Sequence, residues 1–190
     1  MMNWTAVPQL ADLLDDLACF QQHLAGLATR LGLTLTDYHI DHIALRCHQE
    51  DTARRWFDGW KQCARCLKKN DFNGRAIALF ALPSPIALGA LRIDCVELPW
   101  PGQRRYPHEG WEHIEIVLPG PPATLARRAL ALLSDSALAA PDISVKHSAP
   151  AAAGERLPNP TLAVTDGRVT IKFHPYSLRD ILSDEATGER

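Results

Sequence analysis

The chain has 190 residues, 46% of them hydrophobic, and a formal net charge of −2. That is enough apolar material for one core or for two closely fused small modules, and a near-neutral chain without blocks of like charge argues against nucleic acid or an acidic membrane as partner. No apolar run reaches bilayer length, and the start Met1-Met2-Asn3-Trp4 lacks the basic and apolar parts of a secretory signal, so a cytoplasmic location is expected.

Residues 1–36 read as an N-terminal helical extension. Leu10, Leu13, Leu14 and Leu17, then Phe20, Leu24, Leu27 and Leu31, follow the three-and-four spacing of a buried stripe, and Gly32 is a natural stop. Residues 37–98 open with a strand over Tyr38–Cys47. A helix follows over 51–64, with Ala53, Trp56, Phe57 and Trp60 inward and Asp51 or Thr52 as its cap. Strands at Cys66–Phe72 and Arg75–Leu82 flank the turn Asn73-Gly74, Pro83–Gly89 reads as a loop, and Leu91–Leu98 is a further strand. Residues 99–110 form a connector rich in Pro, Gly and aromatics. Residues 111–176 then repeat the order: a strand over Trp111–Leu118, a helix over Thr124–Leu133, and a short strand over Ile143–His147. A loop at 149–159 and a hairpin of Thr161–Thr165 with Val169–His174 about Asp166-Gly167 complete it, and 177–190 is a tail with a short helix. The five cysteines, an odd number, read as free thiols, and the lone Cys63-Ala64-Arg65-Cys66 has no second pair to complete a zinc knuckle.

One phrase is written twice. Asp41-His42-Ile43-Ala44-Leu45-Arg46 returns as Glu112-His113-Ile114-Glu115-Ile116-Val117. The repeat predicts two similar halves, and a pseudo-two-fold axis between them would bring His42 and His113 together. Strand alternation places Ile40, His42, Ala44 and Arg46 on one face, and Trp111, His113, Glu115 and Val117 on the matching one. Asp41 and Glu112 fall on the opposite, aliphatic faces. Glu97, at the end of the Leu91–Leu98 strand, lies on an otherwise apolar face and needs a cation or a donor there. Two imidazoles and one carboxylate suit Fe(II), Mn(II), Ni(II) or Zn(II) with open coordination positions. Arg46 can hold a substrate carboxylate or phosphate in its planar fork, or form a salt bridge to Glu97 or Glu115. Glu115 can fix an imidazole or act as a base, and Tyr106, His108 and Trp111 either rim the cavity or pack the connector.

With these residues in view, the chain resembles the vicinal oxygen chelate superfamily, which includes glyoxalase I and extradiol dioxygenases. Closer still, the run 41–46, the phrase Trp111–Gly120 and Ile171-Lys172-Phe173-His174-Pro175 resemble the bacterial YecM family over nearly the whole chain. The resemblance implies an α+β fold of two tandem βαβββ modules forming a curved mixed sheet around a cavity, with the N-terminal helices outside. It implies a divalent metal ion on His42, Glu97 and His113. The eighth strand, where the superfamily usually places a further Glu, carries no acid between Arg168 and Arg179; Lys172 and His174 stand there instead, His174 as a further ligand and Lys172 as a base or anion-binding group. Two functions are then open: a metal-dependent isomerase, lyase or dioxygenase acting on a small oxygen-rich substrate with Glu115 and Lys172 as acid/base groups, or a metal-free small-molecule binding protein. Either would act as a monomer or a homodimer.

Overall fold

In this computed structural model, residues 2–72, 75–103, 105–148 and 158–181 are described, without the side chains of residues 70–72. The N-terminal extension begins with two 3-10 turns, Trp4–Ala6 and Pro8–Leu10, and continues as α1, Ala11–Leu31. Its buried stripe is Leu13, Phe20, Leu24, Leu27, Ala28 and Leu31. At Gly32 the chain turns left-handed (φ 76°), and its N–H returns to the carbonyls of Ala28 and Thr29, closing the helix end. A further 3-10 turn, Leu35–Asp37, leads into the sheet.

Helix α2, Glu50–Cys63, follows strand β1, His39–Arg46, and buries Ala53, Trp56, Gly59, Trp60 and Cys63. Its N-cap is Gln49, with no side-chain capping bond, so the expected cap at Asp51 or Thr52 is not used. Instead Glu50 and Asp51 sit in the first turn, where their charges suit the positive end of the helix dipole. Gly59 permits the close pass of α2 over the N-terminal segment: a Cβ there would lie 2.8 Å from Leu10 Cδ2. Asp12 ties α1 to α2, accepting from the Arg55 guanidinium at 2.7 Å and from the Trp56 indole N–H at 3.1 Å.

The strands are β1, then β2 (Arg65–Phe72), β3 (Arg75–Leu88), β4 (Leu91–Pro99), β5 (Gly110–Val117), β6 (Ser144–Ser148), β7 (Thr161–Thr165) and β8 (Thr170–His174). They form one curved, unclosed sheet in the order β2-β3-β4-β1-β5-β8-β7-β6. Strands β1 and β5 are central and antiparallel to each other; β1 pairs parallel with β4, and β5 pairs parallel with β8. The helices cover one face. Trp4, Trp60 and Trp111 meet there with ring centroids 5.7–6.2 Å apart, a large share of the core's apolar area.

Three local expectations change. Strand β3 runs through Pro83-Ser84-Pro85, expected as a loop; its ladder with β4 slips between Ala81 and Ile86, so the prolines, which lack an N–H, fall in a stretch the ladder skips. The expected Thr124–Leu133 helix is a 3-10 turn, Pro122–Thr124, then α3, Leu125–Leu130, and α4, Asp135–Leu138. The break falls at Ser134, whose N–H bonds Leu31 O and whose hydroxyl both bonds Arg30 O and caps Ala137 N. Closing the end of α1 thus outweighs a longer local helix. The Asn73-Gly74 turn, most of the 149–159 loop and the tail beyond 181 lie outside the described residues.

Candidate metal centre

The face of β1 and β5 turned away from the helices carries the chemistry, and two bulges shape it. Along the β1/β5 ladder, Ile40 pairs with Ile116 and His42 with Glu115, so Asp41 has no partner. Further on, Ala44 pairs with His113 and Leu45 with Trp111, so Glu112 has none. A bulged residue escapes strict alternation. Each acid therefore reaches the Nδ1 of the histidine that follows it: Asp41 Oδ2 lies 2.8 Å from His42 Nδ1, and Glu112 Oε2 contacts His113 Nδ1. The second bulge also moves Trp111 off the His113 face. Trp111 is fully buried with Trp4 and Trp60, its indole N–H donating to Leu13 O at 2.8 Å, so it does not rim the site.

The three site histidines are almost completely buried: His42 and His113 at 0% exposure, His174 at 1%. The rings of His42 and His113 stand 6.1 Å apart and those of His42 and His174 6.2 Å. With Nδ1 of His42 and His113 taken by the acids, Nε2 is the atom each offers. Among the described residues, none of the three Nε2 atoms has a hydrogen-bond partner. All face Glu115: His113 Nε2 and His42 Nε2 lie 3.3 and 3.6 Å from its Oε1, and His174 Nε2 lies 3.4 Å from its Oε2. These are distances of charge attraction without the alignment of a hydrogen bond.

Charges fill the rim. Lys172, which pairs with Glu115 across β5/β8, places its ammonium 3.1 Å from Glu115 Oε1. Glu97, beside Ala44 on the parallel strand β4, lies 3.7 Å from His42 Nε2. Arg46 lies between carboxylates, 3.6 Å from Glu97 and 3.6 Å from Glu112, with its guanidinium 4.7 Å from the centre of the Tyr106 ring. Its partners are therefore Glu97 and Glu112 rather than Glu115. Thr170 donates its hydroxyl to Glu112 Oε1 at 2.8 Å.

This crowding sets the proton affinities. Burial alone would lower the His42 pKa, but the Glu115 charge, the Asp41 hydrogen bond and Glu97 overcome it and raise it to about 10. For His174 burial prevails over Glu115, and its pKa falls below the ordinary value. Burial would raise Glu115, Glu97, Glu112 and Asp41, yet the neighbouring histidines and cations hold all four below the usual carboxylate range. Arg46 is raised, the Glu112 and Glu97 charges exceeding the effect of burial.

The structure thus draws His42, His113, His174, Glu97, Glu115, Lys172 and Arg46 into one neighbourhood. It also brings in Asp41 and Glu112, which alternation assigns to the core. Among the described residues, two groups offer ligand atoms within 4.8 Å of one another: His42 with His113 and Glu115, and Asp41 with His42 and His174. Glu97 is in neither group, although its Oε2 lies 3.7 Å from His42 Nε2. Other histidines lie elsewhere: His108 binds Asp16 at 3.0 Å, His48 binds the Tyr106 carbonyl at 2.7 Å, and His39 and His147 are exposed. Cys63 is buried, Cys66 is exposed, and both are free.

A family model described as "YecM protein" matches residues 9–185. Protein YecM of Escherichia coli K12 is 56% identical over 188 residues, covering 99% of this chain and 100% of that one. A Haemophilus influenzae protein, described only as uncharacterised, is 40% identical over 178 residues, covering 91% of this chain and 93% of that one. A solved structure described as "Structural Genomics, Protein EC4020" matches with a TM-score of 0.92 at 55% identity, over 97% of both chains. No helix among the described residues is long and apolar enough to cross a membrane.

Proposed function

The chain belongs to the YecM family, and we propose that it binds one divalent metal ion on His42, His113 and Glu115, with His174 beside them. The observation that carries this reading is the set of three buried Nε2 atoms, none hydrogen-bonded among the described residues, all turned to one carboxylate. A buried polar atom without a partner costs about 1–3 kcal/mol, so three in one place call for a ligand. The spacing fits: donors about 2.1 Å from a tetrahedral ion stand about 3.4 Å apart, against 3.3 and 3.6 Å for the two imidazoles and Glu115 Oε1. The charges fit as well. With neutral imidazoles, Asp41, Glu97, Glu112 and Glu115 outweigh Arg46 and Lys172 by two negative charges, which a divalent cation balances. Asp41 is better read as a holder of His42 than as a ligand, because its oxygens already accept from His42 and from the Leu178 N–H.

When bound, such an ion polarises a substrate oxygen and stabilises negative charge that develops on it. The protein's own groups divide the remaining work. Asp41 and Glu112 hold the two imidazoles with Nε2 forward. Lys172, 21% exposed at its side chain, stands at the solvent edge and can move a proton or neutralise an oxyanion. With Glu115 among the ligands, Lys172 is the better candidate for the acid/base role. The recurring pattern of β1 parallel to β4 and β5 parallel to β8 supports two βαβββ modules of the vicinal oxygen chelate type. The reaction is then an isomerisation, a lyase step or a dioxygenation of a small oxygen-rich substrate.

A second reading, a metal-free small-molecule binding protein, draws on one observation: the Lys172 ammonium already occupies the Glu115 oxygen that faces His42 and His113. Metal analysis separates the two. Protein purified without chelator or affinity tag is assayed for Mn, Fe, Ni and Zn, then stripped and titrated with each ion. About one ion per chain, lost in His42→Ala and His113→Ala, is expected. Failure to take up any of the four overturns the metal reading and leaves the second.

A further inference from the structure

The two acid–histidine pairs are anchored differently. Glu112 takes the Thr170 hydroxyl, from the strand next to it. Asp41 is fixed from far along the chain: the backbone N–H of Leu178 lies 3.1 and 3.2 Å from its two carboxylate oxygens. Leu178 opens the helical turn over residues 178–181. That turn is closed on itself by a reciprocal cap, with Asp180 Oδ2 accepting from Ser177 N and Oγ and the Ser177 hydroxyl accepting from Asp180 N. Two further ties seat it on the body: Ile181 is buried, and Arg179 donates to Asp94 at 2.7 Å.

We propose that the Leu178 N–H is a positioning group for the metal centre: it orients the Asp41 carboxylate, and Asp41 in turn holds His42 with Nδ1 engaged and Nε2 turned to Glu115. The inference rests on the metal reading for its consequence and on the hydrogen-bond chain alone for its structural content. Asp41 sits in a bulge, where no ladder partner restrains it, so its side chain depends on what it bonds. Among the described residues, the carboxylate is reached by His42 Nδ1 at 2.8 Å, by the Leu178 N–H at 3.1 Å and, further off, by His174 Nε2 at 3.8 Å. Without the N–H, the carboxylate is free to swing toward His174 and release His42. Seating of the C-terminal turn is thereby linked to the geometry of a ligand on the central strand, 136 positions earlier in the chain.

The test exploits a substitution that deletes one hydrogen. Proline lacks an N–H and is well tolerated in the first turn of a helix, so Leu178→Pro removes the bond to Asp41, while Leu178→Ala removes the side chain and keeps the bond. Two measurements are made on the full chain. In the metal-free protein, the His42 Nδ1–H proton is followed by NMR. The expected result is a low-field, slowly exchanging signal in wild type and Leu178→Ala that is lost or moved in Leu178→Pro. In the metal-titrated protein, Zn(II) affinity by chelator competition is expected to be near wild type in Leu178→Ala and about tenfold weaker in Leu178→Pro, as for other groups that orient a metal ligand. Should Leu178→Pro fail to fold, Asp180→Ala at the exposed cap is expected to weaken the NMR signal and the affinity in the same direction by a smaller factor. Equal behaviour of Leu178→Pro and Leu178→Ala, or of Asp180→Ala and wild type where the proline variant does not fold, overturns the inference. A wild type that takes up no metal overturns the proposed function instead, and the NMR arm still decides this one.

Discussion

The two halves of the sheet share a frame and differ in charge. In each, a central strand carries an acid and a histidine, the acid in a bulge, and a parallel strand lies on its outer side. The first half is better built: α2 has 14 residues and packs two buried tryptophans, Trp56 and Trp60, whereas α3 has six residues and packs Leu125 and Ala129. At the site the contrast is chemical. The parallel partner of β1 brings the carboxylate Glu97; the parallel partner of β5 brings the ammonium Lys172 and the imidazole His174. A pairing scheme repeated across the seam fixes where side chains converge, and the outer strands decide the charge found there.

The largest expected effect tests whether the halves are equivalent at their centre. His42→Ala takes its imidazole partner from Asp41, and His113→Ala takes its imidazole partner from Glu112. Each is expected to lower the stability of the metal-free protein by about 2 kcal/mol, the scale for losing a buried hydrogen bond to a charged group, and to abolish metal uptake. Urea unfolding and metal analysis read both, and a loss confined to one variant breaks the equivalence.

Next come the acids behind the rings. Asp41→Asn and Glu112→Gln keep shape and remove charge, and each is expected to weaken Zn(II) binding by about 10–100-fold in chelator competition. Unchanged affinity in either variant would remove that acid from the site's support.

The outer strands sharpen the difference. Lys172→Met removes a cation from Glu115 and is expected to tighten Zn(II) binding, while Glu97→Gln removes an anion near His42 and is expected to weaken it. Each change is about tenfold, or 1.4 kcal/mol. Shifts of the same sign would show that charge on these strands does not tune the centre.

A pH dependence tests the first half by itself. The pKa of His42 in the folded protein is raised from the ordinary 6.5 to about 10, so its contribution to the stability of the metal-free protein is full below pH 6.5 and fades as the pH rises through about 10. His174, lowered from its ordinary value, acts in the opposite sense and costs stability as the pH falls below 6.5. Thermal melts of metal-free wild type are expected to decline between pH 7 and 10, and His42→Gln to flatten that decline. Zinc uptake at pH 7.5, which must displace the His42 proton, is expected to release about one proton, seen as a buffer-dependent heat.

Much of this was legible in the residues. Period-2 and period-3.6 patterns located β1, β5, α1 and α2, and the repeated acid–His–Ile phrase pointed to the two histidines that converge. What alternation misses is the bulge. A one-residue slip in pairing is invisible to a rule of strict alternation, which places Asp41 and Glu112 on the core face and Trp111 on the site face. The clue was the acid preceding each histidine in both copies, since only an irregular strand lets neighbours in sequence touch side by side. The closeness of Glu115 to both histidines was equally hidden, because it depends on register: Glu115 pairs with His42 across β1/β5, whereas Glu97 pairs with Ala44. The early end of α3 at Leu130 answers to the end of α1, a contact between segments about a hundred residues apart.

The most direct test of the metal centre is the X-ray absorption spectrum of the zinc-loaded protein. A four-coordinate shell of N and O donors at about 2.0–2.1 Å, with the outer-atom scattering of at least two imidazoles, is the predicted result. A shell of oxygen atoms without imidazole scattering would contradict it.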